Sequence, residues 1–367
     1  MKKILKKLVD VEWKELLKTG LEKRFNFSFE AQGARIRKFL ITPVAEQFSW
    51  LNFFGIVICL LFVILLITGL SLALYYKPIA DDAHLSIKYI MNSIPSGWLI
   101  RSIHHWASTL LFIFVFLHFW RIYFTGAYKY PRELLWFIGL ANLALVFLFG
   151  FTGYLLPWSN NSYWSTQIMT SEIKDIPLIG DYIMLFIRGG EGVGSGTLTR
   201  FFVSHIVILP GLFLAITGIH IWMIFRQGLT KWKSVSPKNY RYSVSVMLLD
   251  INILIFVLFA LLISLSVFIP AGLGDIADPL RMPAKIIPAW FMMPIYNLYK
   301  FFPREIFIFN RGTLFAMSSS VIILLLVLLP FLDRNEQYNP LKRSVIAVIG
   351  IAGLVLLLFL ISYGTGR

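Results

Sequence analysis

The chain has 367 residues, of which 57% are apolar and only 14% charged, with a formal net charge of +15. So little charge over such a length excludes an ordinary soluble domain and points to an integral membrane protein. The positive excess is concentrated at the start, where residues 1–38 hold eleven of the 34 Lys and Arg against five acids. Beside membrane helices, the partner of such a patch is anionic lipid rather than nucleic acid.

Within residues 1–38, Ile4, Leu5, Leu8, Val9, Trp13, Leu16, Leu17 and Leu21 recur at helical spacing between Lys and Glu. That pattern predicts an amphipathic helix lying in the interface, the alternative being a solvated helix packed on partner subunits. No signal-peptide core follows the early lysines. The single cysteine, Cys59, permits neither a disulfide within the chain nor a Cys-x-x-Cys-His haem attachment, and reads as a small core residue.

Seven stretches are long and apolar enough to cross a hydrocarbon core: 51–75, 99–124, 135–157, 201–225, 245–269, 314–333 and 344–363. The segment before the first span and the turns at 121–132, 226–241 and 334–343 fall on one side and carry 22 of the 34 basic residues. By the positive-inside rule that side, with the N-terminus, is cytoplasmic, as for a bacterial cytoplasmic membrane. Two long segments on the opposite face, 158–200 and 270–313, hold aromatic residues and prolines and are expected to fold back onto the membrane. The glycine tract 189–196 has neither a preceding strand nor a following Lys-Ser/Thr, which excludes a phosphate loop.

Four of the six histidines form a pattern. On the second span His104 and His118 are 14 apart, which leaves them about 40° from one face and about 21 Å apart along the axis. His105 and His118 differ by about 140°, so His105 is a bystander. On the fourth span His205 and His220 are 15 apart, about 60° and about 22 Å. The second and fourth spans run the same way, so His104 lies level with His205 and His118 level with His220. Two imidazole pairs at two depths suit bis-histidine ligation of two iron porphyrins, whereas zinc takes three or four ligands converging on one point. Gly55 and Gly69 on the first span, and Gly139 and Gly153 on the third, repeat the 14-residue period and would let a macrocycle approach the backbone. Arg101, Arg121 and Arg200, near the ends of the histidine helices, are placed to meet propionates.

From about residue 40 to 335 the chain closely resembles the cytochrome b subunit of quinol-oxidising cytochrome bc complexes. The resemblance is carried by "GWLIRSIHHWAS", "LHFWRIYFTGAYKYPRELLW", "GFTGYLLPWSNNSYW", "TLTRFFVSHIVILP" and "PAWFMMP" in family order. The 15-residue second spacing and the total of seven spans look like the photosynthetic-type protein fused to its three-helix partner. The resemblance implies two non-covalent b-type haems, quinone as substrate, and a homodimeric complex with a Rieske-type iron–sulfur protein and a c-type cytochrome. It places the outer quinol site in the two long loops, with Pro288, Trp290 and Asp278 as its candidate residues.

Two departures stand out. Phe53 occupies the place where photosynthetic-type relatives carry the cysteine of a covalent third haem, so none is expected. The family's Pro-Glu-Trp-Tyr reads Pro288-Ala289-Trp290-Phe291 here. Alanine cannot accept a proton from quinol, so another acid (Asp275, Asp278 or Glu191) takes that role or the site runs differently. Asp250, on the fifth span, is a candidate proton donor to an inner quinone.

The expected fold is all-α, a multi-pass transmembrane bundle of seven spans. It comprises an interfacial segment over 1–38, a four-helix dihaem domain over 39–240, and a three-helix C-terminal domain over 241–367 bearing the outer quinol-site loop. The expected function is that of the membrane subunit of a quinol:cytochrome c or equivalent oxidoreductase. One alternative is a dihaem conduit between quinone and another redox partner; a second is a haem-free transporter with histidines in a proton path.

Overall fold

The computed structural model describes residues 34, 36–38, 40, 53–228 and 244–363. The interfacial reading of 1–38 therefore falls almost wholly outside the described residues, as do residues 229–241 of the basic turn. By contacts the chain divides into two compact units, residues 1–48 with 233–256 and residues 49–232 with 257–367. Within the first, the described residues are helical.

An apolar run in hydrocarbon must close its backbone hydrogen bonds within itself, so these segments are helices. In chain order the elements are α1 (Phe53–Ala73), α2 (Ala80–Ser93), α3 (Gly97–Thr125), α4 (Glu133–Leu155), α5 (Asn160–Ile173), α6 (Gly180–Arg188) and α7 (Ser195–Val203). A π turn (Ser204–Ile208) joins α7 to α8 (Leu209–Gln227), and α9 (Val244–Phe268) and α10 (Met293–Phe301) follow. A two-stranded hairpin, β1 (Glu305–Ile306) and β2 (Phe309–Asn310), precedes α11 (Arg311–Leu332) and α12 (Ser344–Ser362). Seven helices among the described residues are long and apolar enough to span, one for each expected stretch. The fourth, Ser195–Gln227, is longer than expected, because the rod starts six residues earlier, inside the outer segment, with Thr197 Oγ1 accepting from Gly194 N–H (3.1 Å).

In the second unit α1 packs along α3 and α4 along α8. The long segment 158–200 is ordered around Arg188, which is buried. Its guanidinium donates to Thr170 Oγ1 (2.7 Å), Ser171 Oγ (2.7 Å), and the carbonyls of Gln167 (2.8 Å) and Glu191 (2.7 Å). The glycine tract is thus a turn wrapped around this arginine.

At the far end of α3, Gly126 adopts φ +62°, a left-handed conformation that costs glycine little, and turns the chain toward α11 and α12. There Asp333 is buried with two cations: Oδ2 lies 2.5 Å from the Arg343 guanidinium and 3.2 Å from Lys129 Nζ, and accepts from Tyr128 Oη (2.7 Å). Burial alone would raise the Asp333 carboxyl, but Tyr128, Arg343 and Lys129 outweigh it and hold it below its usual range. The resulting stabilisation is present at neutral pH and lost as pH falls through the depressed range. Removing one partner of a buried ion cluster strands the others. Asp333→Ala should therefore cost about 3–5 kcal/mol, read as a drop in thermal midpoint, and Asp333→Asn, which keeps an acceptor for Tyr128, should cost less.

Candidate functional site

The four histidines and four glycines come together as helix pairs. A methyl group added at Gly69 would lie 3.2 Å from His104 Cε1, and at Gly153, 2.6 Å from His205 Cε1. At Gly55 it would meet His118 Cε1 at 3.9 Å, and at Gly139, His220 Cε1 at 3.7 Å. Gly55 and Gly69 of α1 thus each face a histidine of α3, and Gly139 and Gly153 of α4 each face a histidine of the fourth span. The close approach goes to the imidazoles themselves, most tightly at Gly153.

Across the bundle the His104 and His205 rings pair with centroids 6.4 Å apart and planes inclined at 65°. An iron bound by one nitrogen of each ring, at about 2 Å, needs a gap of this size. We refer to this pair as the first rung. His118 and His220, the second rung, line one cavity together with Arg121, Tyr128, Arg132, Trp136 and Gly139. Nδ1 of His118 and of His220 is buried without a hydrogen-bond partner among the described residues. Two imidazoles per rung, each backed by a glycine, form a donor set that would suit two bis-histidine haems. His105, exposed and edge-on to Trp106 (5.4 Å), belongs to neither rung.

The matched phase of the two histidine helices has a cause that the bare spacing hides. The π turn at Ser204–Ile208 holds His205, and Leu209 N–H reaches back five residues to Ser204 O. A single π turn inserts one residue into an α-helix. The 15-residue spacing from His205 to His220 thereby acquires the rotation of the 14-residue spacing on α3. Pro210, two residues past the turn, has no N–H to give and crowds the carbonyl four back, which favours this local unwinding.

At the first rung, both histidines are oriented by threonines that the spacing argument missed. Thr68 Oγ1 donates its only hydrogen to Ile64 O (2.7 Å), so toward His104 Nδ1, 2.9 Å away, it can only accept. Thr152 Oγ1 likewise donates to Leu148 O (2.7 Å) and lies as an acceptor 3.1 Å from His205 Nδ1, and the His205 ring also donates to the Phe149 carbonyl. Both rings are therefore Nδ1–H tautomers with the Nε2 lone pair left for a metal. The sequence carried a signal: each of these threonines immediately precedes a paired glycine, Gly69 or Gly153.

Between the rungs Phe62, Phe149 and Phe213 form an aromatic cluster, with centroids 4.4–6.0 Å apart. Phe62 lies midway between Gly55 and Gly69 in the sequence, so the space separating the two rungs is filled and apolar.

Of the three arginines expected near propionates, Arg121 lines the second-rung cavity. Arg101 donates to Ala271 O (2.5 Å) and Gly272 O (2.8 Å), and Arg200 to Phe186 O (3.2 Å), so each of these holds a loop. Arg132, not anticipated, also lines the second-rung cavity and donates to Gly228 O (3.1 Å).

Of the candidate quinol-site residues, Asp278 and the chain leading into Pro288 are tied to the start of α5, and Trp290 packs on α3. Asp278 N–H donates to Asn160 Oδ1 (3.2 Å), and its carbonyl accepts from Trp164 Nε1 (3.1 Å). Asn161 brackets Ile287, donating to its carbonyl (2.6 Å) and accepting from its N–H (3.1 Å), which fixes the approach to Pro288. Trp290 sits edge-on to Phe112 (6.0 Å), and Phe291 stacks on the same ring (4.1 Å, 12°). Gly150, overlooked in the sequence, makes room, since a methyl there would come within 2.5 Å of Phe291 and 2.6 Å of Phe112.

Other acids lie elsewhere. Asp275 lines a separate outer pocket with His84 and Lys88, and Glu191 is exposed. Glu172 has its carboxyl pushed up to about 7 by burial and by Asp175, against Arg311 and Lys300. It stands eleven residues beyond Asn161 on the same helix, about 16 Å away, too far to touch a ligand at Trp290.

Comparison with known proteins agrees with this architecture. Residues 40–228 match the family model described as cytochrome b/b6/petB, and residues 276–366 the model described as cytochrome b(C-terminal)/b6/petD. A cytochrome bc complex cytochrome b subunit of Chlorobaculum thiosulfatiphilum is 36% identical over 316 residues, 84% of this chain and 72% of that protein. Cytochrome b6 of Gloeobacter violaceus is 43% identical over 176 residues, 48% of this chain and 82% of that protein. A solved chain of a hyperthermophilic respiratory complex III superposes with a TM-score of 0.78 at 28% identity, covering 95% of this chain and 92% of that one.

The unequal clearances predict unequal responses. Gly153→Ala should displace His205 and cost about 1–3 kcal/mol of overpacking, whereas Gly55→Ala, in ordinary contact with its imidazole, should cost less. Thermal stability of the purified variants, with haem content read from the reduced spectrum, checks the order.

Proposed function

The chain belongs to the cytochrome b family of bc-type complexes, as the membrane subunit of a quinol oxidoreductase, and on that premise we propose its particular task. It is the dihaem subunit of a quinol:cytochrome c or equivalent oxidoreductase. His104 and His205 hold one haem, and His118 and His220 the other. When bound, the two haems supply one-electron carriers at two depths in the membrane.

The remaining work is done by side chains. Thr68 and Thr152 keep the first-rung imidazoles in the ligating tautomer. Phe62, Phe149 and Phe213 exclude water between the rungs. Arg121, and with it Arg132, offers charge-assisted hydrogen bonds to propionates in the second-rung cavity. Pro288 and Trp290 wall the site at which quinol gives up two electrons and two protons. Asp278 is the carboxylate placed there to take a proton.

One electron leaves to a Rieske-type iron–sulfur or c-type cytochrome partner, and the other crosses to quinone at the opposite face. The basic turns orient the subunit with its N-terminus in the cytoplasm, in a bacterial cytoplasmic membrane and within a homodimeric complex.

The observation that carries this reading is the imidazole pair at 6.4 Å, backed by glycines, with His118 and His220 backed by glycines in the same way and lining one cavity. Ala289 favours a second reading, a dihaem conduit between quinone and another redox partner without a bifurcating outer site.

Quinol oxidation by the purified complex separates them. A rate abolished by inhibitors of the outer site supports the first reading, and an inhibitor-insensitive one the second; Ala289→Glu should raise the rate only if the outer site works. Haem content tests the ligand assignment. His105→Ala should keep both haems and His104→Ala lose one, and loss of haem from His105→Ala alone would overturn the choice between these neighbours.

A further inference from the structure

The two rungs are built alike and finished differently. Both first-rung rings donate Nδ1–H to a threonine oxygen, whereas both second-rung Nδ1 atoms are buried without a partner among the described residues. The sequence repeats the asymmetry, since the residues before Gly69 and Gly153 are Thr68 and Thr152, and those before Gly55 and Gly139 are Phe54 and Ile138. Neither phenylalanine nor isoleucine can accept a hydrogen bond through its side chain.

A hydrogen bond accepted from Nδ1–H draws that proton outward and makes Nε2 a stronger electron donor. The oxidised iron, with one more positive charge, gains more from such a donor than the reduced iron does, so the potential falls. Thr68 and Thr152 sit on different helices, α1 and α4, and act on opposite axial ligands. Their effects on one metal therefore add.

We infer that Thr68 and Thr152 are positioning residues that lock the first-rung imidazoles in one tautomer and lower the reduction potential of the haem they ligate. The inference rests on the dihaem reading proposed above.

The test uses the intact purified complex, titrated electrochemically while both b-type α bands are followed, with low-temperature EPR of the oxidised irons. Thr→Val removes the acceptor at nearly constant volume, and Thr→Ser restores it. Thr68→Val and Thr152→Val should each shift one haem about tenfold toward reduction, or about 59 mV for one electron, with the other haem unmoved. Thr68→Ser and Thr152→Ser should stay at the parent value. No shift, an equal shift of both haems, or a serine variant behaving like valine would overturn the inference. If a valine variant loses its haem, retention in the matching serine variant supports the hydroxyl's role, and loss from both counts against it. A parent complex with fewer than two b-type haems would instead sink the dihaem reading, before any variant is made.

Discussion

An imidazole inside a bilayer is costly, and must be given room to pack and, where the fold allows, a partner for its polar edge. That requirement organises the second unit. Each of the four paired histidines stands over a glycine of the helix packed beside its own, α1 behind α3 and α4 behind the fourth span. At the first rung the remaining ring nitrogen is taken by a threonine. Both long outer segments and the C-terminal helices attach to α3 and α4, so the peripheral structure inherits its placement from four ring-on-backbone contacts.

Much of this was legible because hydrocarbon restricts the menu. Span number followed from apolar length, and the choice of His104 over His105 from 100° per residue. The glycine periods pointed to the right helices but to an incomplete reason: they clear the imidazole rings as well as any macrocycle. What escaped were interactions with no local pattern. Arg101 reaches carbonyls 170 residues away, and Asp333 is closed by Tyr128 from another helix end. Thr68 and Thr152 were hidden for a different reason. A threonine in a helix normally spends its hydroxyl on its own backbone, and only the facing histidine reveals the second use. The one-residue mismatch between the histidine spacings was visible too, yet its resolution needs the π turn, for which Pro210 was the clue.

The outer segments are held without a carboxylate at the apex of their turn. Around Ala289, Asn161 brackets Ile287, and Met292 and Met293 N–H close on Ala289 O (2.8 and 3.2 Å). The turn is therefore closed by backbone and asparagine. The acids that remain are distributed by fold. Asp278 is tied to the first turn of α5, whereas Glu172 lies at the other end of that helix among cations.

The stack of Phe291 on Phe112 has a mechanical corollary. Phe112 projects from the rod that also bears His104 and His118, and Gly150 leaves the two rings no slack. The helix that seats Phe291 is therefore the helix that carries two of the four paired imidazoles, so the outer loop and both rungs are anchored to a single rod.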